Sequence, residues 1–170
     1  MPGLTDGAFI PPQPGHSIAV MRPALLSTLL LALAAAPAAA QTAISGDVLK
    51  LHGTIYQLWA IDTLETHQSC ADGWPGGVKA KSALRGFMRD SRIACEPVSH
   101  DANGRVVARC TADGADLGAE MVAAGLALAV DPTAADYADE EALAKQHHRG
   151  LHAHDCTAAW EWLAHSRKSR

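Results

Sequence analysis

The stretch AISGDVLKLHGTIYQLWAID, ending at Asp62, alternates apolar and polar side chains around a His52-Gly53 turn. A period of two has to bury one face, so residues 42–62 are expected to form consecutive strands over a shared core. The run then delivers two carboxylates, Asp62 and Glu65, to its far end. A Gly-, Asp- and Pro-rich loop follows, THQSCADGWPGG. After it, Val78, Ala80, Leu84, Phe87 and Met88 recur at helical spacing in VKAKSALRGFMRDS. RIACEPVSH and RVVARCTA read as two strands joined by the polar turn DANG. LGAEMVAAGLALAV reads as a helix with Asp116 as its N-cap, and YADEEALAKQHHRG as a third helix stopped by Gly150. Strands wound into a small barrel with helices against one side would hide their edges. No internal repeat is present.

The first forty residues do not pattern as fold. From Met21, MRPALLSTLLLALAAAPAAA has the basic, apolar and small-residue layout of a secretory signal, with cleavage expected before Gln41. A membrane anchor would need a longer and less Ala-rich run. Residues 1–20 are Pro- and Gly-rich and read as a mispredicted or disordered extension, with Met21 as the start. Residues 41–165 are then one domain, and 166–170 a basic tail. Removing residues 1–40 takes away one Arg and one Asp, so the formal charge stays at −4. That balance argues against a broad basic face for polyanions and leaves room for a small cationic pocket.

All four cysteines, Cys70, Cys95, Cys110 and Cys156, follow the signal. An even count in an exported chain reads as two disulfides in one of three pairings. A zinc site is the weaker reading, since no Cys-x-x-Cys spacing occurs.

Chemistry concentrates in separated pieces: Gly46-Asp47 in the first strand, Asp62 and Glu65 at the end of the third, and Asn103-Gly104-Arg105 in a turn before a strand. Two aspartates on neighbouring strands make an oxygen-rich site for Ca²⁺ or Mg²⁺. A nearby Glu can orient or deprotonate water, and an Arg can hold phosphate oxygens. Singly, each is more often a surface charge or a turn residue.

Together the pieces resemble the thermonuclease, or staphylococcal-nuclease-like, family. The resemblance rests on Ser45-Gly46-Asp47-Val48, on the stretch from Gln57 to Glu65, and on Asp101-Ala102-Asn103-Gly104-Arg105. Gly125-Leu126-Ala127 and Gly150-Leu151 extend it, so it runs from about Ile44 to Leu151. Trp74-Pro75 and the Cys156…Trp160-Glu161-Trp162 tail look like an exported bacterial branch. The resemblance implies an α+β fold, an OB-like five-stranded β-barrel with three packed helices. It also implies Ca²⁺-assisted hydrolysis of DNA or RNA phosphodiesters. Asp47, Asp62 and the Thr63 carbonyl would hold the metal, Glu65 would be the base or water-orienting acid, and Arg105 would stabilise charge on the phosphoryl oxygens.

The departures matter as much. Gln57 stands where the family has its first arginine, and a glutamine brings a donor without a charge. Ser45 replaces an acid, Val48 a threonine, Ala60 a glycine, Leu64 a proline and Asn103 a tyrosine. The expectation is a secreted or periplasmic, monomeric phosphodiesterase weakened at Gln57, without membrane association after signal cleavage. A catalytically inactive binding module on the same fold is the alternative. Cys95 and Cys110 sit on two strands joined by a short turn, which predicts Cys95–Cys110 and therefore Cys70–Cys156.

Other candidates read as structure. His147, His148, His152 and His154 crowd the end of the third helix, where capping against the helix dipole is commoner than metal binding. Trp160 and Trp162 are expected to pin the tail to the domain rather than stack on bases. Arg85, Arg89 and Arg92 read as a solvated helix face. No Ser-His-Asp or Cys-His set and no Gly-rich phosphate loop is present.

Overall fold

A computed structural model of the chain describes residues 41–130 and 134–168. The signal-like segment and the residues before it lie outside the described residues. The alternating run forms β1 (Gln41–Ala43), β2 (Val48–Leu51), β3 (Thr54–Leu58) and β4 (Ile61–Asp62). The long hairpin is β5 (Ile93–His100) and β6 (Val106–Ala112), followed by β7 (Ala115–Asp116) and, later, β8 (Leu128–Ala129). The main path is β1-β2-β3-β6-β5, antiparallel except for the parallel β3–β6 pair, with β7 added to β6. β4 and β8 make a separate two-stranded sheet. Ala60, at φ 60°, sits where the chain leaves β3 for β4. These five path strands with helices packed on them are the expected OB-like α+β arrangement. No described strand pairing closes the path into a full ring.

Helix α1 (Gly76–Met88) buries Ala80, Leu84 and Met88, one residue per turn. They meet Leu49, Leu58 and Ile61 in the main core. Val78 points outward at 55 % exposure, so the apolar face is narrower than the sequence pattern suggests. Helix α2 is short, Leu117–Ala123, and its N-cap is Asp116, whose carboxylate accepts from the Gly118 and Ala119 N–H groups. The helix is short, as expected, and covers only the first half of the segment from Leu117 to Val130. Gly125 takes φ 68°, and Leu128–Ala129 pair as a strand instead. Helix α3 is Ala138–Gln146, ending before Gly150, which opens a 3₁₀ turn.

The three expected helices are joined by a fourth, α4 (Ala159–Lys168), in the segment read as a tail. Trp160 is half exposed on it at 49 %, so packing does not account for that side chain. Both disulfides are present with the expected partners, Cys95–Cys110 across β5–β6 and Cys70–Cys156.

Candidate active site

Asp47 lies in the bend between β1 and β2, not within a strand as its sequence pattern suggests. The bend is fixed by Ile44 and Ser45 N–H groups that both donate to the Val48 carbonyl, at 2.8 and 3.2 Å. Leu58 N–H donates to the Asp47 carbonyl at 2.8 Å, tying the bend to β3. Gly46 is required by space: an added Cβ would stand 2.6 Å from Ala80 Cβ and 2.8 Å from Thr63 Oγ1. The β2–β3 register pairs Val48 with Gln57, which brings Gln57 beside Asp47. Gln57 Nε2 donates to Asp47 Oδ2 at 2.7 Å, and Ser45 Oγ donates to Oδ1 at 2.7 Å. Ser45 and Gln57 thus hold one carboxylate from both sides.

Parallel pairing of β3 with β6 sets Tyr56 against Val106, so Arg105 arrives at the same end of the sheet. Its turn is built on Asp101. One carboxylate oxygen accepts from Asn103 and Arg105 N–H at 2.8 and 2.9 Å, and the other accepts from Arg105 Nε at 2.5 Å. Partial burial pushes the Asp101 carboxyl up, but the hydrogen bonds from Arg105 and Asn103 outweigh it and leave it below the usual range. In the sequence Asp101 reads as a turn residue ahead of Asn103-Gly104 and as the first residue of a motif shared with the resembled family. Its role in fixing the arginine is not legible there.

Asp62 ends β4, Thr63 is buried behind it, and Glu65 stands exposed in the following loop. Burial, then the Asp47 charge, then Glu65 push the Asp62 carboxyl up to about 6, against a lowering hydrogen bond from the Thr63 main chain. A cleft of about 340 Å³ joins all of these: Ser45, Asp47, Gln57, Asp62, Thr63, Glu65, Asp101 and Arg105 line it, with Val48 and Leu64. Arg105 is the only cationic side chain among those residues.

The donor set suits a hard cation. It offers the Asp47 and Asp62 carboxylates and oxygen from Thr63, and two like charges crowd each other with no ion pair to either among the described residues. Thr63 Oγ1 is also buried there without a hydrogen-bond partner. Among the described residues no three His, Cys, Asp or Glu side chains gather as a metal cage. Most of the roughly 6–8 oxygens calcium prefers would therefore come from water and ligand. The histidines of the tail do not converge either. His154 Nδ1 meets Asp72 Oδ2 at 2.7 Å and its ring stacks on Trp74, while His152 buries Nε2.

Crowding has a measurable consequence. Between the unfolded value of 3.8 and about 6, the folded state keeps the Asp62 proton that the unfolded chain releases. Stability therefore falls as pH rises through that window, and the ionised carboxylate at neutral pH is a burden of about 1–2 kcal/mol after allowing for solvent screening. In chelator at pH 7.5, Asp62→Asn should melt higher than the wild type, and the difference should shrink as pH falls below 6. Thermal denaturation across pH 5–8 checks it. An Asp62→Asn protein that melts lower at pH 7.5 would contradict the crowding.

The fold and cleft define a class: a small OB-like α+β domain with an acidic cleft and one fixed arginine at the sheet's end. A family model described as staphylococcal nuclease homologue matches residues 56–154, and the chain belongs to that family. A search of curated proteins found no match to the chain. The matched segment includes Gln57, Asp62, Glu65 and Arg105 but begins after Asp47 and ends before Cys156.

Proposed function

We propose that this chain is an exported, calcium-assisted phosphodiesterase acting on nucleic acid, slow because Gln57 takes the place of a phosphate-facing cation. The observation that carries this reading is the convergence of Asp47, Asp62, Glu65 and Arg105, from separate stretches of sequence, on one cleft. Two disulfides suit an oxidising compartment, in line with the export signal read from the sequence. Among the described residues no helix is long and apolar enough to cross a membrane.

Asp47, Asp62 and the Thr63 carbonyl would hold the calcium ion, which when bound supplies charge neutralisation at a phosphate oxygen. The chain's own groups do the rest. Glu65, exposed at the cleft edge, aligns a water and accepts its proton as attack proceeds. Arg105, with Nε committed to Asp101, turns its remaining N–H groups toward the phosphoryl oxygens as negative charge builds there. Gln57, with its amide on Asp47, contributes no charge to that oxygen.

The test is digestion of denatured DNA by the protein from a periplasmic fraction, with calcium or with chelator. Asp47→Asn and Glu65→Gln should each abolish the calcium-dependent part. Gln57→Arg should raise it at least tenfold, equivalent to about 1.4 kcal/mol, since a guanidinium can keep a bond to Asp47 and add charge at the phosphate. If wild type and Gln57→Arg are both inert in folded protein and calcium does not bind, the enzyme reading is wrong and a binding module replaces it.

A further inference from the structure

Glu65 belongs to a stretch, residues 63–75, that contains no helix or strand. Something else must hold it, and Gln68, one of two buried polar residues among those described, sits where it can do so. Gln68 is 2 % exposed. Its Oε1 accepts from Glu65 N–H at 3.2 Å, and its own N–H donates to the Glu65 carbonyl at 2.7 Å. Its Nε2 donates to the Thr157 carbonyl at 2.7 Å, across 89 residues of sequence. The same two segments are tied three more times: by Cys70–Cys156, by Ala71 N–H on the Asp155 carbonyl at 2.8 Å, and by His154 on Asp72 and Trp74.

We infer that residues 154–157 are a strap completing the active site, with Gln68 as the positioning residue that passes its rigidity to Glu65. Cys156 and Thr157 lie beyond the family-matched segment, so this support is a property of the chain outside that match. The physical case is one of burial. An amide removed from water needs partners for both its oxygen and its nitrogen, and Gln68 finds one in the Glu65 main chain and the other in the strap. Moving either partner leaves a buried polar group unpaired, so the arrangement resists distortion. Asp47, Asp62 and Arg105 are held instead by the β1–β2 bend, the β4–β8 pair and the Asp101 turn, so the strap acts on one member of the site.

The kinetic part of this inference rests on the phosphodiesterase reading; the structural part does not. In Gln68→Leu, amide hydrogen exchange at Glu65 should speed up at least tenfold while amides of Leu49, Leu58 and Ala108 keep their protection. Where cleavage is measurable, kcat should fall at least tenfold with KM and calcium affinity within twofold. Gln68→Glu is the conservative variant that keeps the experiment decisive should Leu prevent folding. As a neutral acid it can donate to the Thr157 carbonyl and accept from Glu65 N–H, so at low pH both Glu65 and the strap should stay near wild type; once ionised it has no hydrogen to give Thr157, so protection of Ala71 N–H, held by the Asp155 carbonyl, should fall as the acid ionises. Unchanged Glu65 protection in Gln68→Leu, unchanged Ala71 protection in ionised Gln68→Glu, or a loss spread equally over the core strands, would overturn the inference. A wild type without cleavage would defeat the enzyme reading alone, leaving exchange to decide the strap.

Discussion

Arg105→Ala is expected to slow calcium-dependent cleavage by about 10³–10⁵-fold, the range associated with removing an arginine from a phosphoryl-transfer site. The large figure follows from the cleft's composition. Arg105 is the only cationic side chain among the described residues lining it, and Gln57 points its amide at Asp47, so no second side chain can take up the load. Lysine should recover little of the loss. In the proposed mechanism the arginine has two tasks at once: Nε on Asp101 at 2.5 Å fixes its direction, and the rest of the fork would serve the phosphate. A lysine ammonium that pairs with Asp101 is drawn away from the substrate. Single-turnover cleavage of denatured DNA, with circular dichroism to confirm the fold, measures the effect. An Arg105→Ala protein within tenfold of the wild type would remove this residue from the chemistry.

The sequence made the sheet legible because strand alternation is a local signal. The β2–β3 hairpin and the β5–β6 pair follow from it, and the latter places Cys95 opposite Cys110. Asp116 was readable as an N-cap because its side chain bonds within its own helix. Contacts made across long separations left no such trace. The amide of Gln57 finds Asp47 through strand register, and Gln68 finds Thr157 through the path of the whole chain. The bend at Asp47 has the sequence pattern of a strand because polar-apolar alternation continues through it. Trp160 and Trp162, two apart, resemble a strand pattern and conceal the helix they occupy. Residues of the cleft were legible one at a time, while what holds each of them in place was not.

Gly125→Ala is expected to cost about 2–5 kcal/mol of stability. Gly125 ends α2 at φ 68° and Gly150 follows α3 at φ 49°, both in the left-handed region. The two cross backbone to backbone: a Cβ on Gly125 would overlap the Arg149 carbonyl, and one on Gly150 would overlap the Gly125 carbonyl. Leu151 N–H donates to that same Gly125 carbonyl at 2.7 Å. The backbone strain alone is worth about 1–2 kcal/mol, and forcing apart a close-packed crossing adds about 1–3. Gly53 separates the two contributions, since it has φ 88° but nothing within 4 Å of an added Cβ. Gly53→Ala should therefore lose only the strain, about 1–2 kcal/mol. The crossing also reaches the candidate site, because it sets Leu151, which packs with Leu64 and Cys70 of the segment that carries Glu65. Gly125→Ala should then shed activity at temperatures where Gly53→Ala retains it. Urea denaturation of both variants at one pH gives the comparison, and equal losses at the two glycines would mean that the crossing is not tight.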